Sequence, residues 1–346
     1  MTYVQAVSTH LPPYSYSTEH ITKAAGDWLS NSPSERALFE RLASSTKIEN
    51  RAFGLPIEEL LALRGQGERS KIFIEVGTSL LTEVVKKGLS AARASAEDVT
   101  ALIMTSCSVP SIPSIDTRAI GQIGIPATVL RLPVFQYGCA GGAIGISLAQ
   151  HLSSPKGVTI LASVELCSLV YQAEDLQAGN IVGSAIFGDG AACVVVSEKP
   201  GPLKVVASQS FLIPNTFDLM GYDLMDDGAH LRLDREIPQA LLKAAPATID
   251  TFLRNHDLTT GDISWWLFHP GGAKILSSLE ESFGLSRDQA KWGWDSLREN
   301  GNMSSASILF ALEAFLRERS YRVGDKMLML GVGPGLTLQV NLFECC

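Results

Sequence analysis

Short apolar runs alternate along the chain with longer stretches in which apolar residues recur every three or four positions. Residues 98–107, 157–166 and 190–199 are short and rich in aliphatic side chains, which predicts buried strands. Residues 70–92 have helical spacing, and so does the segment after Cys139. This alternation of buried strands with helices is typical of an α/β architecture.

Three features occur twice in the same order: an acidic residue before a strand, a helix that begins in a glycine-containing motif, and a glycine turn before a strand. The paired segments are 96–106 with 261–271, 138–152 with 301–316, and 187–196 with 331–343. We therefore predict two related halves, residues 1–200 and residues 201–346.

Residues 135–145 read FQYGCAGGAIG and place Cys139 among glycines at a helix start. Because glycine inside a helix costs about 1 kcal/mol relative to alanine, we expect these glycines to serve close packing and to leave the Cys139 N–H free. A helix N-terminus carries partial positive charge, so we expect the pKa of Cys139 to lie below the ordinary value of about 8.5. The alternative is a structural cysteine in a buried small-residue helix.

His269 and Asn302 are the other candidates for chemistry. His269 ends a predicted strand in HPGG, and Asn302 begins a helix at the position that the repeat makes equivalent to Cys139. Equivalent loops of a duplicated fold meet near its centre, so we predict that all three residues converge. Taken singly, His269 could be a structural histidine and Asn302 a helix N-cap.

Composition narrows the functional classes. The chain has 346 residues, 46% hydrophobic, with a net charge of −8 and no basic stripe, which argues against a nucleic-acid partner. No apolar run approaches the roughly 20 residues of a membrane span, and the first residues lack secretory-signal features. We therefore expect no membrane partner and a cytoplasmic location.

Metal and nucleotide sites are not predicted. The six cysteines show no metal-ligand spacing, so we expect free thiols and no metal. The motif GVGPG (331–335) contains a proline and precedes a strand rather than a helix, which argues against a dinucleotide fingerprint. We expect no bound cofactor.

Five motifs occur in a characteristic order: GCAGG, FGDGAA, HPGG, GNMSSA and GVGPGLT. Together they resemble the chalcone-synthase-type condensing enzymes, the type III polyketide synthases. The resemblance implies a thiolase fold, a five-layered αβαβα arrangement of two duplicated halves, in a homodimer. It also implies an acyltransferase whose substrates are thioesters of coenzyme A or phosphopantetheine.

The resemblance assigns roles to the candidate residues. Cys139 would be the nucleophile that takes the acyl starter, and His269 would pair with its thiolate. His269 and Asn302 would hold the extender thioester and stabilise the enolate as CO₂ leaves. The loop Gly333, Pro334 and Gly335 would contribute an oxyanion donor and shape cyclisation.

The same resemblance predicts a substrate pocket. Phe187 matches an aromatic gatekeeper of the family, whereas Leu231 stands where a second aromatic residue is usual. The predicted wall is otherwise a mixture of small groups, namely Thr105, Ser106, Cys107, Cys167, Val170 and Ser304. This mixture fits a flexible aliphatic chain at least as well as a planar aromatic starter.

The family's basic residues for coenzyme A phosphates are sparse in this chain. Arg41 matches one of them and Lys47 and Arg51 are close by, but Leu38 and Ser45 stand at other expected positions. Arg41, Lys47 and Arg51 are the predicted contacts to coenzyme A or to a carrier-protein arm, with solvated surface charges as the alternative.

The predicted function is a ketosynthase of polyketide or antibiotic biosynthesis that performs Claisen condensation through acyl-Cys139 and releases an α-pyrone or related ring. Three alternatives stay open. The chain could join two carrier-bound β-ketoacyl chains into an α-pyrone without malonyl extension, which the sparse basic residues favour. It could transfer the acyl group to oxygen or nitrogen, but simple transfer would need no decarboxylation site such as Asn302. It could be an inactive heterodimer partner, but such partners typically lack the cysteine that this chain has as Cys139.

Overall fold

The observed elements follow the predicted alternation over the residues that the computed structural model describes, 1–226 and 228–346. The strands there are β1 (Thr2–His10), β2 (Tyr14–Ser17), β3 (Asn50–Phe53), β4 (Val99–Thr105), β5 (Leu130–Val134), β6 (Val158–Leu166), β7 (Asp189–Ser197), β8 (Leu203–Leu212), β9 (Met220–Met225), β10 (Gly228–Leu233), β11 (Trp265–Phe268), β12 (Lys326–Gly333) and β13 (Thr337–Cys345). The three predicted strands are confirmed as β4, β6 and β7.

The helices of the described residues are α1 (Thr18–Trp28), α2 (Pro33–Ser45), α3 (Ile57–Ala62), α4 (Gln66–Ala92), α5 (Asp116–Ile123), α6 (Gly141–Leu152), α7 (Ala178–Ile186), α8 (Ile237–Arg254), α9 (Ala273–Phe283), α10 (Arg287–Asn300) and α11 (Ser307–Glu318). Short 3₁₀ turns at Gly138–Ala140 and Ser304–Ala306 directly precede α6 and α11. The two predicted helices are confirmed as α4 and α6.

The internal repeat is visible in the strand directions. In the described residues, one nine-stranded sheet runs in the order β11-β12-β13-β8-β1-β7-β6-β4-β5. In the first half β4 is parallel to β6, and β7 is antiparallel to both β6 and β1. In the second half β11 is parallel to β12, and β13 is antiparallel to both β12 and β8. The two halves therefore share one topology, joined where β1 pairs with β8.

A matching turn precedes the equivalent strands β4 and β11. Ser95 and Asp98 form a capping box before β4, and Thr259 and Asp262 form one before β11. In each, the hydroxyl residue and the carboxylate three positions later satisfy free backbone N–H groups at the turn. The repeat predicted from sequence is thus confirmed in these local hydrogen bonds, whereas the boundary at residue 200 stays a prediction.

The described elements stack as five layers. Helices α6 and α11 lie between the two halves of the sheet, because α6 packs on β4 and β6 and also on β12 and β13. Helix α4 covers the outer face of the first half, and α8 to α10 cover that of the second. The strands are buried on both faces, as when Met327 and Met329 of β12 face the central layer while Leu328 and Leu330 face α8 and α9. The predicted αβαβα arrangement is confirmed.

None of the helices in the described residues is long and apolar enough to cross a membrane.

The glycines of α6 permit the two central helices to approach. A Cβ at Gly142 would stand 2.2 Å from the Ser305 carbonyl oxygen, in the turn that begins α11. A Cβ at Gly145 would stand 2.2 Å from a Leu161 methyl group on β6. These positions explain the glycines of the Cys139 motif by packing rather than by helix propensity.

We predict that Gly142→Ala lowers the thermal unfolding midpoint, with a loss of about 1–3 kcal/mol in the free energy of unfolding, because the new methyl group overlaps backbone. The matched control is Gly121→Ala in α5, where a Cβ meets open space. That variant should be neutral or more stable by about 0.4–1 kcal/mol. Thermal melts followed by circular dichroism measure both. A Gly142→Ala midpoint equal to that of the wild type would contradict the packing argument.

Candidate active site

Cys139 lies in the 3₁₀ turn Gly138–Ala140 that leads into α6, and its side chain is half-buried. The turn needs glycine at Gly138, which has a φ of +51°. The Ser304 hydroxyl donates a hydrogen bond to the Cys139 sulfur at 3.4 Å. Ser304 belongs to the equivalent turn of the second half, so the two turns meet at Cys139 as the repeat predicts.

Asn302 also contacts this centre. Its Oδ1 accepts a 2.8 Å hydrogen bond from the Ser304 backbone N–H, and its amide is a hydrogen-bonding neighbour of the Cys139 sulfur. Its Nδ2 donates to the Gly271 carbonyl oxygen at 3.3 Å. Because an amide nitrogen carries two N–H groups, one holds Gly271 while the other is directed at the Cys139 sulfur.

His269 follows β11 and is held by its backbone. Its N–H donates to Leu330 O at 3.0 Å, and its carbonyl accepts from Gly271 N at 2.8 Å. The ring lies against Gly271, the residue whose carbonyl binds Asn302. Neither ring nitrogen has a hydrogen-bond partner among the described residues, although the residue is almost fully buried. Such orphaned polar atoms in a buried histidine are an arrangement suited to a ligand.

The glycine loop at the end of β12 packs directly on the cysteine turn. A Cβ at Gly333 would stand 2.5 Å from Tyr137 O, and a Cβ at Gly138 would stand 2.6 Å from the Pro334 ring. Gly335 has a φ of +109° and completes the turn into β13. The predicted loop Gly333–Gly335 therefore lies beside Cys139.

The protonation states differ from the sequence prediction. Burial raises the pKa of Cys139 to about 11, and it exceeds the lowering by hydrogen bonds from Ser304 and Asn302. Burial also lowers the pKa of His269 to about 3. The expectation of a depressed cysteine pKa is thus wrong for the free enzyme, because loss of hydration outweighs these hydrogen bonds. Near neutral pH both side chains are uncharged.

We predict that alkylation of Cys139 by iodoacetamide accelerates with pH up to at least pH 10. The reason is that the reactive thiolate forms only as pH approaches a raised pKa, and His269 supplies no cation above pH 4. Peptide mass spectrometry after timed labelling separates Cys139 from the exposed Cys346. A rate that levels off below pH 8 would show a stabilised thiolate and contradict the prediction.

Glu165 is a buried residue that the sequence analysis missed. Its carboxylate accepts hydrogen bonds from the hydroxyls of Ser108 and Ser305 and, at 3.1 Å, from the Cys107 N–H. Burial nevertheless raises its pKa. By joining β6 to the Ser304–Ala306 turn, Glu165 fixes the turn that contacts Cys139. Its signal in the sequence is an acidic residue inside the apolar run of β6.

The predicted pocket residues fall into two groups. Ser304 and Cys107 lie on the Cys139 side, and their side-chain oxygen and sulfur are 3.0 Å apart. Thr105 and Ser106 are buried on the same side, against Gly141 and Glu165 respectively. The other four line an apolar cavity of about 90 Å³ that reaches α1 and α3. These cavity-lining residues are Cys167, Val170, Phe187 and Leu231.

Tyr222, which the sequence analysis also missed, connects these two groups. It lines the cavity, and its phenol is close enough to Cys107, Cys167, Glu165 and Cys139 for their charges to raise its pKa further, after burial. It lies on the β9–β10 hairpin, opposite Leu231. Tyr222 thus brings a polar group to the part of the cavity nearest the Cys139 side.

One predicted carrier contact is wrong. Arg51 is buried, and its Nη1 donates to the carbonyl oxygens of Ser184 at 2.6 Å and Phe187 at 2.8 Å. It therefore holds the chain that carries Phe187 and cannot meet a phosphate in solvent. Arg41 and Lys47 are both exposed.

Within the described residues, no group of three or more His, Cys, Asp or Glu side chains is arranged to hold a metal ion.

Comparison with known proteins gives matches over nearly the whole chain. The N-terminal domain model of the chalcone and stilbene synthases matches residues 9–200, and the C-terminal domain model matches residues 204–345. The chain is 35% identical to the 1,3,6,8-tetrahydroxynaphthalene synthase of Streptomyces peucetius subsp. caesius, across 99% of this chain and 93% of the relative. It is 28% identical to the alpha-pyrone synthesis polyketide synthase-like Pks18 of Mycobacterium tuberculosis, across 80% and 73%.

The fold has close structural neighbours. The crystal structure of 1,3,6,8-tetrahydroxynaphthalene synthase from Streptomyces coelicolor A3(2), described as a bacterial type III polyketide synthase, matches with a TM-score of 0.93 and 29% identity. The match covers 98% of each chain.

Proposed function

The chain belongs to the chalcone and stilbene synthase family of acyltransferases, which form carbon–carbon bonds in polyketides, and we propose that it condenses an acyl group held on Cys139 with malonyl-CoA and releases a cyclised polyketide. The observation that carries this proposal is the meeting of Cys139, Asn302 and the His269 turn, which come from three distant parts of the chain.

Acyl loading is the first proposed step. The Cys139 sulfur attacks the thioester carbonyl, its proton passes to a free nitrogen of His269, and the carrier thiolate leaves with that proton. The backbone N–H of Cys139 and the adjacent loop Gly333–Gly335 are candidate donors to the developing oxyanion. A neutral imidazole with two unpartnered nitrogens supports His269 as the proton acceptor.

Condensation is the second step. The bond between the malonyl carboxylate and its α-carbon breaks, CO₂ leaves, and the electron pair forms an enolate on the thioester. The Asn302 N–H that faces Cys139, once it is released from the acylated sulfur, and a His269 N–H would stabilise that enolate oxygen. The α-carbon then attacks the acyl carbon on Cys139, and the cysteine thiolate leaves. If the acyl group were instead transferred to oxygen or nitrogen, no enolate would form and Asn302 would have no enolate to stabilise.

Two starters have separate support. The apolar cavity behind Phe187 and Leu231 supports an aliphatic acyl starter, with an α-pyrone product like that named for the Mycobacterium relative. The polar groups of Tyr222, Cys107 and Ser304 on the Cys139 side, with 35% identity to a tetrahydroxynaphthalene synthase, support a second candidate, a hydroxylated aromatic ring built from malonyl units alone.

Product analysis by mass spectrometry separates these candidates. The enzyme is given malonyl-CoA alone, malonyl-CoA with hexanoyl-, octanoyl- or dodecanoyl-CoA, or β-ketoacyl carrier proteins without malonyl-CoA. An acyl-dependent pyrone supports the aliphatic starter, and an aromatic product from malonyl-CoA alone supports the second candidate. A product formed only from two carrier-bound β-ketoacyl chains, without malonyl-CoA, would overturn the extension mechanism.

We further propose that the enzyme is a cytoplasmic homodimer, as the resemblance implies. Ile112 is fully exposed, and Leu130 is half-exposed on edge strand β5; such uncovered apolar side chains support a contact with a second copy. Light scattering at the mass of a single 37.1 kDa chain would contradict it.

A further inference from the structure

The two proposed steps of the reaction do not use Arg51, a buried cation on the short strand β3. Its Nη1 donates to the carbonyl oxygens of Ser184, in the last turn of α7, and Phe187, which directly follows that helix. Burial lowers the pKa of Arg51 to about 10, against the opposite effect of Asp189, so the guanidinium is still charged near neutral pH. Both hydrogen bonds are therefore charge-assisted, and they place a cation at a helix C-terminus, where it is favoured.

The segment that Arg51 holds is the one that fixes the backbone of Asn302. Ile186 O accepts a 2.8 Å hydrogen bond from the Asn302 N–H, and the Gly188 N–H donates to Asn302 O at 3.0 Å. Phe187 lies between these two bonds and forms an isolated parallel bridge with Asn302. Both backbone polar groups of Asn302 are thus bound by a three-residue segment whose central carbonyl is held by Arg51.

The stem of Arg51 also packs against the residue before Asn302. Gly301 has a φ of +68°, and a Cβ there would stand 2.9 Å from Arg51 Cγ and 2.7 Å from Ile186 O. The lack of a side chain at Gly301 therefore lets the Arg51 stem lie directly against this backbone. Arg51 supports Asn302 from two directions, through this contact and through Phe187.

We propose that Arg51 is a positioning residue for condensation, which fixes Phe187 and thereby aims the Asn302 amide at the developing enolate oxygen. This inference rests on the proposed function, because it needs Asn302 to stabilise an enolate. A misplacement of about 1 Å in such a donor can cost about 10²-fold in rate. Acyl loading should be little affected, because Cys139 and His269 are held by other segments of the chain.

The test measures loading and condensation separately in Arg51→Met, which keeps an unbranched side chain and removes its donors. Loading is followed by intact-protein mass after exposure to hexanoyl-CoA, and condensation by CO₂ release from malonyl-CoA on the loaded enzyme. We expect condensation to fall about 10²-fold and loading less than about 3-fold. Arg51→Lys should condense at an intermediate rate, because both hydrogen bonds come from one nitrogen and an ammonium has three N–H donors. The lysine variant carries the same comparison if the methionine variant does not fold.

Arg69→Met is the matched control for loss of a buried arginine. Arg69 lies on α4, is as fully buried as Arg51, and donates from its Nη1 to Leu169 O at 2.8 Å. Its replacement should leave the ratio of condensation to loading unchanged, even where the thermal unfolding midpoint falls. In an Asn302→Ala background, Arg51→Met should lower condensation by less than about 3-fold, because the amide that it positions is absent.

A selective loss of condensation that disappears in the Asn302→Ala background supports the proposal. Wild-type condensation by Arg51→Met, an equal fall of loading and condensation, or a full further fall in the Asn302→Ala background would overturn it. Arg51 also borders the apolar cavity, so a loss confined to loading would assign it to the starter and overturn the proposal as well. If the wild type releases no CO₂ from malonyl-CoA, or Asn302→Ala alone condenses normally, the proposed function fails instead.

Discussion

Replacing Cys139 with alanine is expected to abolish acyl loading, with a fall of at least about 10⁴-fold in the rate of acyl transfer. The reason is that the thioester intermediate needs this sulfur, and the other thiols on the described chain are poor substitutes. Cys107, Cys167, Cys193 and Cys345 are buried, whereas the Cys139 side chain is only half-buried. The measurement is intact-protein mass after brief exposure to an acyl-CoA donor.

The control for this prediction is Cys346→Ala. Cys346 is an exposed thiol at the end of the chain and is open to nonspecific acylation. Its removal should leave a single acyl adduct on the protein, as in the wild type. If Cys139→Ala still gains one acyl group at the wild-type rate in the Cys346→Ala background, the nucleophile is another residue.

Asn302→Ala is expected to retain loading and to lose condensation by about 10²–10³-fold, the usual consequence of removing one oxyanion donor. Loading should persist because the sulfur keeps its hydrogen bond from Ser304. Release of CO₂ from malonyl-CoA and product formation are measured separately from the acyl adduct. If the acyl adduct forms normally while CO₂ release and product formation are lost, Asn302 acts in enolate stabilisation. A general loss of folding would lower all three.

A matched variant lies two residues away. Asn300→Ala removes an amide that donates to Ser296 O at 3.4 Å, at the end of α10 and outside the candidate site. It should load and condense like the wild type. Wild-type condensation by Asn302→Ala would remove Asn302 from the mechanism.

The fold and the meeting of the main site residues could be predicted because both depend on local patterns. Apolar runs mark strands that are buried on both faces, as in β6 and β12. The repeat made the turns of Cys139 and Asn302 equivalent, and in a duplicated fold equivalent turns meet at the central helices. The close approach of α6 to the Ser304–Ala306 turn needs Gly142, whose presence is readable in the sequence.

The remaining features depend on three-dimensional surroundings that a linear pattern does not contain. Burial raises the pKa of Cys139, and hydrogen bonds from Ser304 and Asn302 lower it. Only the packed structure shows that burial has the larger effect. Arg51 matches a basic segment in the sequence, yet its side chain turns inward to bind the carbonyl of Phe187. Tyr222 reaches the site from a hairpin without a recognisable motif.

A basic surface groove lined by Lys47, Arg235 and Lys274 shows the same limit. These three residues are separated from one another by long stretches of chain. They become one surface only when α2, α8 and α9 are packed together. A charge cluster formed by tertiary structure leaves no run of basic residues to detect.

In the proposed mechanism, one acyl chain held on Cys139 is extended by malonyl-CoA. The most direct measurement is a single-turnover experiment in which the enzyme is loaded with an acyl group, freed of donor, and mixed with isotopically labelled malonyl-CoA. Mass spectrometry of the Cys139 peptide and of the released products then follows the label. We expect loss of the starter from Cys139 together with a labelled, elongated chain or ring that contains it. A starter that stays on Cys139 unchanged, or leaves without any labelled carbon attached, would rule out extension by malonyl-CoA.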